Sequence, residues 1–288
     1  MSRLVSLLLV SGFLLLAACR TSPESPLPAG GISSLPVRFL LTFDDGPSGQ
    51  PDRNTTAEVL NTLAHNHWQS GIKAIFFVQT RAPHGGGTPV GQSLMERIHA
   101  EGHLLELHSG SPRGHINNTL MPFAELDQSL DNGIHDIRRV SGESPRFIRP
   151  PFWAYKPETV EHYETHGLTM LLDDITIRDG KVRGYTSNPH ARAHIHADLE
   201  RAARRIQAGE LPAVSGYIPL VVTMHDTNPT TARDLELYLG MLIEEARRVG
   251  LTVDTPAFVA PAAELDRVAS VRGNRRVFAL HADGHLYR

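Results

Sequence analysis

The chain has 288 residues, 41% of them hydrophobic, enough to bury a full core in one large domain or two small ones. Its formal net charge of -3 gives no reason to expect nucleic acid or an anionic surface as a partner. A single cysteine excludes any disulfide within the chain.

Residues 1–19, MSRLVSLLLVSGFLLLAAC, combine a positive Arg3, a Leu-rich run and small residues before Cys19. The run is short of the roughly 20 apolar residues that span a bilayer, so it reads as an export signal. The tetrad Leu16-Ala17-Ala18-Cys19 resembles the lipobox of bacterial lipoproteins, which implies that Cys19 is lipidated and begins the mature chain. Several acyl chains on one cysteine anchor stably, where one binds only marginally. Arg20 does not look like the inner-membrane retention signal, so the expected location is the outer membrane of a diderm bacterium, facing the periplasm. Residues 20–36, rich in Pro, Ser and Gly, read as a flexible tether.

From residue 37 onward, apolar runs alternate with segments of helical period. VRFLLTF predicts a strand, and TTAEVLNTLAHN a helix whose Thr55 and Glu58 suit a capping box. AIFFV is a second strand, followed by the helix QSLMERIHAE with Gly102 placed to end it. LLELH is a third, followed by a long helix with Phe123, Leu126, Leu130, Ile134 and Ile137 at helical spacing. RFIR and LTMLL are the fourth and fifth strands, with a helix over 157–166 between them. RAHIHADLERAARRIQ, the strand LVVTMH and ARDLELYLGMLIEEARRV follow, and LTVDT with PAAELDRVA makes a seventh pair. Such repeats predict a parallel α/β sheet curled towards a barrel in one domain over 37–270. The tail, 271–288, carries a possible hairpin at Asp283-Gly284.

The polar residues fall at strand ends. Asp44 and Asp45 follow the first strand, His108 ends the third, Arg149 the fourth, Asp173 and Asp174 follow the fifth, and His225 with Asp226 ends the sixth. In a parallel barrel these points share one face, the face that carries active sites. One Asp and two His there make an open three-ligand site suited to a catalytic divalent metal, most plainly Zn²⁺. A second carboxylate beside it can take a proton from water, and a histidine opposite can protonate a leaving group. The chemistry expected is metal-assisted hydrolysis of an amide or ester. The chain contains neither HExxH nor GxSxG, the marks of a zinc peptidase and a serine hydrolase.

TFDDGP, KAIFFV, GHLLELHS, RPPFW and VVTMHD, in this order, resemble the polysaccharide deacetylase family, the NodB-homology domain of carbohydrate esterase family 4. The resemblance runs from about residue 37 to about residue 257. It implies a distorted (β/α)7 barrel and removal of acetyl groups, usually from N-acetylglucosamine units of a polysaccharide. Carried over by position, it implies Asp44 as catalytic base, Asp45 and His108 as metal ligands, and Arg149 as the partner of the base. It likewise implies His225 as general acid, oriented by Asp179 or Asp174. Phe152 takes the position whose backbone N–H stabilises an oxyanion, and Val222 and Met224 lie where the family lines a pocket for the acetyl methyl group.

Three departures bear on these assignments. The family spaces its two metal histidines as HxxxH, but here the fourth residue after His108 is Pro112, and the next histidine is His115. A bulge of the loop HSGSPRGH would return His115 to the ion; His103, the rival, lies just after the preceding helix. Gly180 stands where the family tends to carry Trp, which leaves Asp179 and Asp174 as alternative partners of His225. Trp153 stands where the family often has Gly, and reads either as a sugar-stacking aromatic or as a rim residue. The reading expected overall is a lipid-anchored deacetylase of an acetylated glycan. An O-acetyl esterase with the same machinery and a catalytically silent glycan-binding lipoprotein are the alternatives.

Overall fold

The computed structural model describes residues 35–179 and 188–273. Cys19, nearly all of the tether, Gly180 and the tail from 274 with its possible hairpin lie outside them. The elements are β1 (Val37–Asp44), α1 (Thr55–Ala64), β2 (Ala74–Gln79), α2 (Pro89–Ala100), β3 (Leu104–Ser109), α3 (Phe123–Ser141), β4 (Phe147–Ile148) and α4 (Pro157–Thr165). Then come β5 (Thr169–Met170), β6 (Ile175–Thr176), α5 (Ala191–Gln207), β7 (Ile218–His225), α6 (Pro229–Arg248), β8 (Val253–Phe258) and α7 (Ala262–Arg272).

The strands form one parallel sheet in the order β5-β4-β3-β2-β1-β7-β6, with β8 also pairing β1. It is a curled half-barrel flanked by helices, of the distorted (β/α)7 type. The centre is β1, β2 and β7, whose runs are apolar without alternation because both faces are covered. Leu40, Ile75, Phe77 and Val221 fill the inner face with Phe147, Leu171 and Tyr217.

Local chemistry sets most boundaries. Asn54, not Thr55, caps α1: its side chain accepts from Ala57 N–H at 3.1 Å, and Thr55 is the first helical residue. In α3 the buried face is Leu126, Ser129, Leu130, Gly133, Asp136 and Ile137. Phe123, expected on that face, is exposed and stacks on His162 instead. The segment LTMLLDDIT divides into β5 and β6, which lie on opposite edges of the sheet, so the described residues form eight strands where seven units were expected. Among the described residues no helix is long and apolar enough to cross a membrane.

Parallel register delivers the functional residues to one rim. Asp44 lies opposite Phe77 on one side and His225 on the other, and Leu107, just before His108, lies opposite Ile148, just before Arg149. The segment after β3 is held against α3 by the absence of a side chain at Gly110. A Cβ there would lie 2.1 Å from Ser129 O and 2.4 Å from Gly133 N, both backbone atoms. Gly110→Ala is therefore expected to destabilise the fold by about 1–3 kcal/mol, the usual cost of overpacking. Denaturant unfolding measures it; an unchanged midpoint would show that loop and helix part without loss.

Candidate active site

The turn after β1 separates two neighbouring carboxylates. Asp44 keeps the strand conformation and points inward, 2% exposed. Asp45 has φ 71°, the left-handed region that Asp tolerates better than most residues, and its carboxylate turns towards the histidines.

Arg149 Nη1 donates to Asp44 Oδ1 at 2.9 Å and also to Thr42 Oγ1, while Nε donates to Leu171 O at 3.0 Å. The guanidinium is wholly buried, with Phe77 at 4.3 Å and Trp153 at 5.1 Å from its central carbon. Breaking such a buried pair by removing one partner typically costs about 3–5 kcal/mol. Trp153, at φ 57°, thus lays its ring against Arg149. Phe152, at φ 61°, is 58% exposed and stacks on His115 with ring centroids 4.1 Å apart.

Asp45 Oδ1 lies 3.1 Å from His108 Nε2 and 3.3 Å from His115 Nε2. The potential ligand atoms of these three residues all fall within 4.8 Å of one another, the only such group of three or more among the described residues. The loop between the histidines bulges as the spacing requires. Gly114 is left-handed, Ser109 Oγ donates to Gly114 O at 3.0 Å, and Ser111 N–H donates back to Ser109 Oγ at 3.1 Å. Two nitrogens and one oxygen fit a divalent ion with zinc-like preferences and leave a position open. The buried His108 ring adds a second sign of fit, since neither of its nitrogens makes a hydrogen bond. Burial opposes ionisation of Asp45, yet the His108 imidazole and the nearby His115 and His225 hold its carboxyl well below the usual range. Burial also lowers the His115 pKa, which favours the neutral imidazole that a metal requires.

His225 faces the same space, with Nε2 3.9 Å from Asp45 Oδ2. Its backbone N–H donates to Asp179 Oδ2 at 2.7 Å, and its Nδ1 lies 2.7 Å from Asp179 Oδ1. Thr231 Oγ1 also donates to that carboxylate, and Asn228 Nδ2 to the Asp179 carbonyl at 2.7 Å. Burial disfavours the imidazolium, but Asp179, with Asp44 and Asp45 behind it, pushes the His225 pKa up to about 10.

Several expected residues lie elsewhere. Asp174 sits opposite Val221, four residues before His225 and about 13 Å down the strand. There it accepts from Arg205 at 2.8 Å, Arg272 at 2.7 Å and Val221 N–H at 2.9 Å, so of the two aspartates only Asp179 meets His225. Val222 and Met224 are fully buried, and strand alternation turns them to the face opposite His225. The next residue that β7 turns to the inner face below His225 is Thr223, opposite Thr42, with the two Oγ1 atoms 3.2 Å apart. His103 lies at the other end of β3, where its Nδ1 accepts from Ala74 N–H at 3.1 Å. The sequence reading passed over Gln79, which donates to Asp45 O at 3.1 Å and to Oδ1 at 3.3 Å. Its signal was a polar residue closing an otherwise apolar strand, as at Asp44 and His108.

Two outcomes follow from this geometry. His115→Ala is expected to abolish stoichiometric zinc retention, measured by metal analysis after loading and desalting; full occupancy would remove His115 from the ligand set. The folded-state pKa of His225 lies above its unfolded value of about 6.5. Its pairing with Asp179 therefore stabilises fully below about pH 6.5, and the stabilisation is lost as pH rises through about 10. Asp179→Asn should lower the His225 titration midpoint seen by NMR in metal-free protein, with a destabilisation that is greatest near pH 6.5 and fades as pH rises towards about 10. A midpoint unmoved by the substitution would show that Asp179 does not hold the charge.

The family profile described as polysaccharide deacetylase matches residues 36–171. A chitin deacetylase of Pestalotiopsis sp is 30% identical over 148 residues, 49% of this chain and 45% of that protein. The peptidoglycan-N-acetylglucosamine deacetylase PgdA of Listeria monocytogenes is 28% identical over 205 residues, 71% of this chain and 36% of that one. The chain thus spans less than half the length of these curated relatives. Among solved structures, the chitin deacetylase of Colletotrichum lindemuthianum superposes with a TM-score of 0.56 at 20% identity, over 81% of this chain and 88% of the other, a likeness of fold. Residues 36–171 thus match the polysaccharide deacetylase family, and the half-barrel that holds the strand-end residues has the fold of its NodB-homology type.

Proposed function

We propose that the protein is a metal-dependent hydrolase that removes N-acetyl groups from a polysaccharide containing N-acetylglucosamine. The observation that carries this reading is the placement of two proton-handling pairs beside one ligand cluster. Asp44 with Arg149 and His225 with Asp179 stand at the ends of the neighbouring strands β1 and β7, next to Asp45, His108 and His115. The named activities of the chitin and peptidoglycan deacetylases that the chain resembles support the same substrate class.

Asp45, His108 and His115 would hold a divalent ion, which when bound would supply Lewis acidity towards the acetyl carbonyl and water. Asp44, oriented by Arg149, accepts the proton of the attacking water. The Phe152 backbone N–H is the proposed donor to the oxygen on which charge develops. His225, protonated through its pairing with Asp179, delivers a proton to the departing amine nitrogen, so that acetate and a free amino sugar result. The exposed Phe152 ring, stacked on His115, offers an apolar surface at the mouth to a sugar face.

The proposal extends to location. Export, lipidation at Cys19 and a tether to residue 36 would hold the domain at a membrane within reach of envelope glycan, a reading that rests on the sequence alone.

Acetate release by the purified protein on chitooligosaccharides, peptidoglycan and acetylated xylan tests the reading. Zinc-dependent release from the first or second, reduced about 10²- to 10⁴-fold in Asp44→Asn, is the expected result. Release from the xylan alone would make the enzyme an O-acetyl esterase. No release from any substrate by folded, metal-loaded protein would leave a glycan-binding role.

A further inference from the structure

The end of β2 holds a residue that no part of this mechanism uses. Gln79 is the last residue of AIFFVQ, 6% exposed, and its side chain reaches back beneath the Asp45 turn. Its Nε2 donates to both oxygens that Asp45 offers on that side, the carbonyl at 3.1 Å and Oδ1 at 3.3 Å. Its backbone N–H donates to Gly46 O at 2.7 Å, so side chain and main chain grip two consecutive residues of the turn.

The same residue adjoins the histidine loop through the pairing of β2 with β3. A Cβ built on Gly114, the residue before His115, would lie 3.4 Å from Gln79 Oε1. The pairing of β2 with β3 is irregular here, shifting register between Val78 and Gln79 so that Gln79 lies opposite Ser109. Thr80 N–H then donates to Ser109 O at 2.9 Å, and Ser109 Oγ closes the loop on Gly114. One buried residue thus touches the turn that aims the carboxylate and the bulge that returns the second histidine.

We propose that Gln79 is a positioning residue of the metal centre, orienting Asp45 through its amide donor. The chemistry favours an amide at this point. Asp45 Oδ1 is the oxygen nearest both histidines, so its second lone pair needs a neutral donor that does not compete with the ion for ligands. Outer partners of this kind fix a ligand's rotamer before the metal arrives, and their loss typically weakens binding about 10- to 100-fold. The left-handed backbone of Asp45 makes such support matter more, because that conformation persists only where its surroundings over-determine it.

The proposal rests on reading Asp45, His108 and His115 as metal ligands, and the test separates the two ideas. Zn²⁺ affinity of metal-stripped full-length protein is measured by competition with a chromophoric chelator for the native chain, Gln79→Met and Asp45→Ala, alongside the metal-free melting temperature of each. Met matches the length of Gln and tolerates burial, but cannot donate. The expected result is a Kd raised about 10- to 100-fold in Gln79→Met with a near-native metal-free melting temperature, and a far larger loss in Asp45→Ala. Native affinity in Gln79→Met with binding lost in Asp45→Ala would overturn the role of Gln79 while leaving the ligand assignment standing. Native affinity in Asp45→Ala would overturn both. Should Gln79→Met fail to fold, Gln79→Asn, whose amide is one methylene too short to reach, is held to the same expectation.

Discussion

Two carboxylates on consecutive residues repel each other, and the site depends on a backbone that turns between them. Were Asp45 to continue the strand, alternation would send its side chain to the outer face of the sheet, away from every histidine. The left-handed turn rotates it back to the rim, and each carboxylate then meets a different set of charges. Asp44 is paired with a buried arginine, and Asp45 with the imidazoles of His108 and His115. Electrostatics that would destabilise the dipeptide in isolation become the means of assigning it two tasks.

The histidine pair obeys a requirement of space and is indifferent to the count of residues between its members. His108 is fixed by β3, but His115 arrives through a loop of six intervening residues whose course is set by two close approaches: Gly110 to α3, and the Ser109 hydroxyl to the Gly114 carbonyl. The rings end nearly parallel, with centroids 5.1 Å apart, and Phe152 continues the stack outward. A longer loop costs little in closure entropy, which grows only slowly with length. What must be preserved is the position of one nitrogen.

Around this centre the protein gathers several unfavourable features. Phe152 and Trp153 are consecutive non-glycine residues at positive φ, a conformation that costs of the order of 1–3 kcal/mol each. Arg149 is wholly buried with Nη2 lacking a hydrogen-bond partner, and neither nitrogen of His108 has one. The rest of the core is conventional, with apolar residues on both faces of β1, β2 and β7. The rim where the proposed chemistry occurs thus concentrates left-handed residues and buried polar groups, and the burial beneath it keeps that rim in place.

The sequence by itself determined the alternation of strands and helices, the parallel sheet, and the rim at which Asp44, Asp45, His108, Arg149 and His225 gather. These follow from local periodicity and from the rule that parallel strands end on one side. It also held the family resemblance, because motif order is a property of the chain. Tertiary structure alone decided between Asp179 and Asp174, since both follow the fifth strand and only the pairing of β6 with β7 sets how far along the sheet each one lies. It alone turned Val222 and Met224 outward, because one step of strand register separates the two faces. It alone showed that Asn54 caps α1, that His115 reaches Asp45, and that Gln79 lies beneath both. Each of these depends on contacts between segments remote in the chain, which no window of neighbouring residues contains.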